Sequence, residues 1–162
     1  MYAQKGVDGL HQNGTRTISV EMWHDLTREG LDVPVRIQLQ GHSMRPLIRC
    51  RRDYVTIRPI RRELKRGDIV LFRRPDGIYV THRIRKLNGD MVQTLGDNCF
   101  DPDKPVPRDA VLGLVTHVTR GTRTFCVDTP FWRFLGRCWA ALLPLHRLRM
   151  MVSDVIRSRF RR

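Results

Sequence analysis

The sequence predicts a mainly β protein: coiled antiparallel β-sheets forming a partly open barrel, with a short N-terminal helix and amphipathic helices at the C-terminal end. Three observations lead there. Six or seven short segments alternate apolar and polar side chains, the period of a strand. Turn-forming residues separate them, and Asn88-Gly89 between two alternating runs is a strong hairpin signal. The chain is also one domain in scale, with 162 residues of which 41% are hydrophobic, enough to bury a core.

Taken in order, residues 1–16 read as a flexible lead-in. They are polar, so they form neither a signal peptide nor an anchor. From Ile18 to Leu31, the apolar positions Val20, Met22, Trp23 and Leu26 fit a short amphipathic helix, with Gly30 as its stop. Strands are expected at Val33–Leu39, Tyr54–Arg58, Asp68–Arg73, Ile78–Lys86, Met91–Leu95 and Val111–Val118, with a seventh at Arg123–Val127. A Pro-rich loop joins Cys99 to Pro107. These elements make a domain over 17–128, followed by a basic amphipathic tail over 129–162. The tail mixes large apolar residues with arginines at spacings near 3.6, and Pro144 interrupts it. It reads either as helices packed on the sheet or as an interfacial anchor, with Trp132 and Trp139 at the lipid boundary and arginines among headgroups. The anchor is favoured, because cationic helices of this sort lie on membranes. No stretch has the roughly 18 uninterrupted apolar residues of a spanning helix, so the expected location is cytoplasmic or peripheral to a membrane.

Charge is the compositional outlier. Thirty Lys and Arg oppose sixteen Asp and Glu, a net charge of +14, which favours anionic partners without specifying a fold. One basic block runs from Arg45 to Arg74 and a second occupies the tail. The cysteines Cys50, Cys99, Cys126 and Cys138 are scattered, with no CxxC pair. That spacing argues against a zinc site and for free thiols. No cofactor is expected.

Three segments carry chemistry. Gly41-His42-Ser43-Met44-Arg45-Pro46 places a serine on a sharp turn after a strand, its hydroxyl exposed and its N–H free to face a ligand. The strand Ile78–Ile84 puts Ile78, Val80, His82 and Ile84 on one apolar, inward face, with Tyr79 and Arg83 on the other. An inward imidazole can serve as a general base near neutral pH. His42 is a rival, although a neighbour of Ser43 on a turning chain tends to point away from it. The third segment is the carboxylate-rich run Gly96-Asp97-Asn98-Cys99-Phe100-Asp101-Pro102-Asp103. One of its aspartates can accept the N–H of His82 and stabilise the imidazolium.

Five boxes in this order resemble the signal peptidase I superfamily: Gly41–Pro46, Gly67–Val70, His82–Arg83, Gly96–Asn98 and Val111–Val115. The resemblance covers roughly Val33 to Val118. The usual bacterial members have a lysine where His82 stands here, so the sequence is similar to the Ser–His branch of the endoplasmic-reticulum type and to small bacterial peptidases of the same superfamily. The resemblance implies coiled antiparallel β-sheets and peptide-bond hydrolysis through an acyl-enzyme on Ser43, with His82 as general base. It also implies a leader or signal peptide as substrate, with small residues before the cut. Spacing from Gly96-Asp97 then favours Asp103 as the partner of His82, with Asp101 next and Asp97 shaping the turn. The sequence departs from the family in lacking an N-terminal membrane span. It also has Gly41 where many bacterial members place a hydroxyl residue that helps the oxyanion hole.

Two other readings compete. A self-cleaving peptidase of the SOS-repressor kind is disfavoured, because only about 30 residues precede the first strand and only Lys86 lies near His82. A basic β-domain that binds nucleic acid through the Arg45–Arg74 block ranks third, since aromatics make up 7% of the chain and offer few stacking platforms. The expected partners are thus a peptide or protein substrate and an anionic membrane surface through the tail, with nucleic acid disfavoured.

Overall fold

The computed structural model describes residues 19–139 and 141–142. The lead-in expected over 1–16 and the tail expected beyond residue 142 lie outside the described residues. The first element is helix α1 (Val20–Arg28), and its N-cap is Ser19, whose hydroxyl accepts the Met22 N–H at 3.1 Å. At the other end the Gly30 N–H reaches Thr27 O and the Leu31 N–H reaches Leu26 O, closing the paired bonds of a Schellman stop. Trp23 is the buried anchor of this helix at 1% exposure, and its Nε1 donates to Val33 O at 2.7 Å.

Eight strands follow: β1 (Val35–Gln38), β2 (Asp53–Arg58), β3 (Ile69–Arg73), β4 (Tyr79–Asn88), β5 (Met91–Leu95), β6 (Val106–Pro107), β7 (Val111–Arg120) and β8 (Arg123–Cys126). They form one antiparallel sheet, strongly curled into a half-barrel, in the order β1-β2-β7-β3-β4-β5-β6, with β8 also on β7. The long β7 gives one edge to β2 and shares the other, pairing β3 through Val111–Leu114 and β8 through His117–Arg120. Register shifts at Thr56/Ile57, Leu71/Phe72 and Ile84/Lys86 interrupt the ladders. Such irregularities add local twist and help a sheet curl.

A simple inward-outward alternation does not describe the central strands. Ile69 through Phe72 are buried without a break, and so are Val80 through Ile84, because the curled sheet has a core on each face. One core gathers Trp23, Leu39, Met44, Ile48, Val55, Ile57 and Leu71 beneath α1. The other gathers Val70, Phe72, Val80, Ile84, Val92, Val106 and Leu114. His82 therefore lies on the apolar face that its period predicts. The opposite face, carrying Arg83, is covered too, and Arg83 is only 5% exposed.

The hairpin at Asn88-Gly89 forms one residue later than the dipeptide suggests. Asn88 pairs with Met91, leaving Gly89 and Asp90 at the tip. The two-residue β6, inside the Pro-rich loop, gives no signal in the sequence, since its pairing to β5 is decided across the fold. A second helix, α2, occupies residues 130–139.

Buried carboxylates explain part of the basic excess. Asp53, fully buried, is held by Arg49 at 3.0 Å and Arg120 at 3.0 Å. Asp68 is held by Arg62 and Arg133, each at 2.8 Å, and both arginines also reach Asp128. A buried carboxylate is costly unless paired, so Arg49 and Arg62 of the Arg45–Arg74 block are committed to the fold rather than free for phosphates.

Candidate active site

His82 is fixed by β4, whose Cα partner at this position is Val70 of β3. Its ring lies 6.3 Å from that of Phe72, and the residue is 5% exposed. Packing leaves the imidazole little rotamer freedom. Its Nδ1 stands 2.6 Å from Asp103 Oδ2. Asp103 sits beyond β5, in the loop predicted to be carboxylate-rich, and its backbone N–H bonds Thr94 O at 2.9 Å, which pins it beside the sheet.

The Asp103 carboxylate has three partners from three elements. Besides His82, Thr94 Oγ1 of β5 donates to Oδ2 at 2.7 Å, and Arg74 Nη2 from the β3–β4 turn donates to Oδ1 at 2.5 Å. Burial pushes the carboxyl pKa up, but the hydrogen bond and charge of His82, with the bonds from Arg74 and Thr94, more than offset it and hold the group at about 2. An ionised carboxylate can only accept. Nδ1 of His82 must therefore be the protonated nitrogen, and in the neutral ring Nε2 carries the lone pair.

Nε2 faces the serine turn. Gly96 separates the two, and a Cβ there would fall 3.0 Å from Nε2, 2.8 Å from Ser43 O and 2.7 Å from Cys99 Sγ. These distances keep the Ser43 carbonyl oxygen within about 6 Å of Nε2. Nothing larger than hydrogen fits at position 96, which is the local reason for a glycine there. The Ser43 turn is held from below by Met44 and Ile48, buried at 3% and 2%, and Gly41 enters it at φ 86°. From the side, the Asn98 N–H donates to Ser43 O at 2.7 Å and Asn98 Nδ2 donates to His42 O at 3.3 Å. Ser43 itself is half-buried. Among the described residues, its hydroxyl makes no hydrogen bond to His82 and its N–H has no protein acceptor. Hydrogen bonds between a nucleophile and its base are often long in unliganded sites and tighten when substrate binds.

The Ser43 turn thus lies near His82, and His82 meets Asp103, from segments that are distant in the chain. Asp101 does not join them. It is exposed and lines an open groove of about 450 Å³ with Arg74, Pro75, Asp76, Pro102, Asp103 and Lys104. His42 is also exposed, and its backbone oxygen serves the turn. The half-buried Cys99 lies at the wall of the site. Burial and the nearby Asp103 charge push its thiol pKa up, which keeps it protonated and a poor nucleophile.

Asp97 does more than shape a turn. Its carboxylate receives Arg83 Nε and Nη2, each at 2.8 Å, in a buried bidentate pair. Arg83 also donates to Gly67 O at 2.8 Å. Helix α2 closes over this pair. Gly136 packs so tightly on the guanidinium that a Cβ would fall 2.4 Å from Arg83 Cζ, and Trp139 Nε1 donates to Asp97 O at 2.7 Å. Removing one member of such a pair leaves an uncompensated buried charge, at a cost of about 3–5 kcal/mol. Arg83 and Asp97 flank His82 and Gly96 in sequence, so their pairing locks the strand and loop that set the site. The adjacency of a basic and an acidic residue to the site residues was visible in the sequence. The role of Arg74 was not, because it lies within an arginine-rich block, 29 positions from the carboxylate it holds.

Among the described residues, no cluster of His, Cys, Asp and Glu is arranged to hold a metal ion, and no helix is long and apolar enough to cross a membrane. Compared with known proteins, the sequence matches no family model and no curated protein at a significant level.

Proposed function

We propose that this chain is a serine endopeptidase of the signal-peptidase type, working through an acyl-enzyme on Ser43. The observation that carries the reading is the polarised imidazole: Asp103 fixes Nδ1, and Nε2 faces the Ser43 turn across Gly96. In the mechanism, Nε2 removes the Ser43 proton as Oγ attacks the scissile carbonyl. The Ser43 N–H supports the oxyanion that develops. The imidazolium, stabilised by the Asp103 carboxylate, returns the proton to the departing amine, and the acyl group stays on Oγ. Water then enters, gives its proton to Nε2 and releases the acid, restoring the serine. The proposed substrate class is a leader or signal peptide with small residues before the cut, taken from the five-box resemblance.

The test is covalent. A fluorophosphonate probe acts as an electrophile for an activated serine, and intact-mass and peptide mapping locate the adduct. The expected result is one adduct on Ser43, lost in Ser43→Ala and reduced at least a hundredfold in His82→Ala. Labelling elsewhere, or equal labelling of His82→Ala, would overturn the proposal.

A further inference from the structure

Helix α2 is amphipathic in an unusual sense, because both of its faces carry apolar side chains. The inner face, through Trp132, Gly136 and Trp139, meets Phe125, Arg83 and Asp97. The outer face holds Phe131, Phe134, Leu135 and, past residue 140, Leu142. These stand three, four or seven positions apart along one stripe, and they are 64%, 59%, 42% and 55% exposed. Leaving such a stripe in water forgoes the stabilisation that covering apolar surface provides.

Arginines lie to one side of it. Arg137 lies over the Phe134 ring, 5.9 Å from its centroid. Arg66 and Arg85, brought from the β3 approach and from β4, line with Arg137 a small cleft against Gly136. All three are exposed, and none has a carboxylate partner among the described residues, unlike Arg49, Arg62, Arg83, Arg120 and Arg133. The sequence after residue 142 adds six arginines against a single carboxylate, Asp154.

From this pairing, among the described residues, of an exposed apolar stripe with arginines that have no carboxylate partner, we infer that the outer face of α2 docks on an anionic lipid surface. Phe131, Phe134, Leu135 and Leu142 enter the acyl boundary, and Arg66, Arg85 and Arg137 take the phosphate headgroups. Nucleic acid would engage the arginines but leaves the aromatic and leucine side chains in water, so lipid fits the whole surface better. Trp139, on the inner face, ties the docked helix to the Asp97 loop and hence to the neighbourhood of His82. The inference stands independently of the chemistry proposed for Ser43.

The test sediments the full chain with vesicles of phosphatidylglycerol and phosphatidylcholine, and with vesicles of phosphatidylcholine alone. Binding is expected only to the anionic vesicles, and it should weaken with salt. Each arginine near such a surface is worth roughly fivefold in partitioning. The triple variant Arg66→Gln, Arg85→Gln, Arg137→Gln should therefore partition roughly a hundredfold less. Phe131→Ser with Phe134→Ser should lose at least about tenfold. Should the double variant fail to fold by circular dichroism, Phe131→Ser alone, at the most exposed position, replaces it. Unchanged partitioning of either folded variant, or equal binding to phosphatidylcholine, would overturn the inference. So would thermal stabilisation by inorganic phosphate without vesicle binding, which marks a free-anion site. Two further results would also overturn it: duplex DNA binding in place of vesicle binding, or self-association that the stripe variant abolishes without any lipid binding.

Discussion

Replacing Asp103 by asparagine isolates the charge of one carboxylate without changing its shape, and the geometry dictates how the carboxamide must turn. Arg74 has only donors and approaches Oδ1, so the amide oxygen stays there. The NH₂ group then points at His82 Nδ1 and Thr94, where Oδ2 had accepted. Nδ1 is forced to accept, the ring proton moves to Nε2, and the lone pair turns away from Ser43. This wrong tautomer predicts a fall of about 10³–10⁴-fold in the rate at which a fluorophosphonate labels Ser43, the scale of the same change in Ser-His-Asp triads. Stability gives a second arm. The folded carboxyl sits at about 2 against an ordinary 3.8, a difference worth about 2 kcal/mol. Because the folded value is the lower one, that stability is complete above about pH 4 and is lost as pH falls through about 2. Urea denaturation between pH 5 and pH 2 should show the native chain losing about 2 kcal/mol more than Asp103→Asn. Parallel stability curves, or a variant that keeps a tenth of the labelling rate, would refute the reasoning.

Two further predictions concern Arg74 and Gly96. Arg74→Met should slow Ser43 labelling about tenfold, and Arg74→Lys should restore part of the rate. An unchanged labelling rate in the Met variant would reduce Arg74 to a fold-supporting role. Gly96→Ala places a methyl group 2.7–3.0 Å from Cys99 Sγ, Ser43 O and His82 Nε2. Differential scanning calorimetry should show a loss of about 1–3 kcal/mol, and the labelling rate should drop at least tenfold; native behaviour in both would contradict the packing described at position 96.

Local chemistry determined much of this protein. The helix at Val20–Arg28, the period-two strands and the hairpin near Gly89 follow from side-chain patterning and turn residues, which act over a few positions. The inward face of His82 and the exposed turn at Ser43 follow from the same short-range rules. What needed the tertiary structure was every relation between distant segments. The register of β6 on β5 and the sharing of one β7 edge between β3 and β8 depend on how the sheet curls. So does the closing of α2 over Arg83 and Asp97. The choice of Asp103 over Asp101 beside the imidazole, and the arrival of Arg74 on its far oxygen, were decided by where the β3–β4 turn meets the loop after β5. A sequence records the chemistry of each group and its local conformation. Contact between groups tens of residues apart exists only once the sheet has closed.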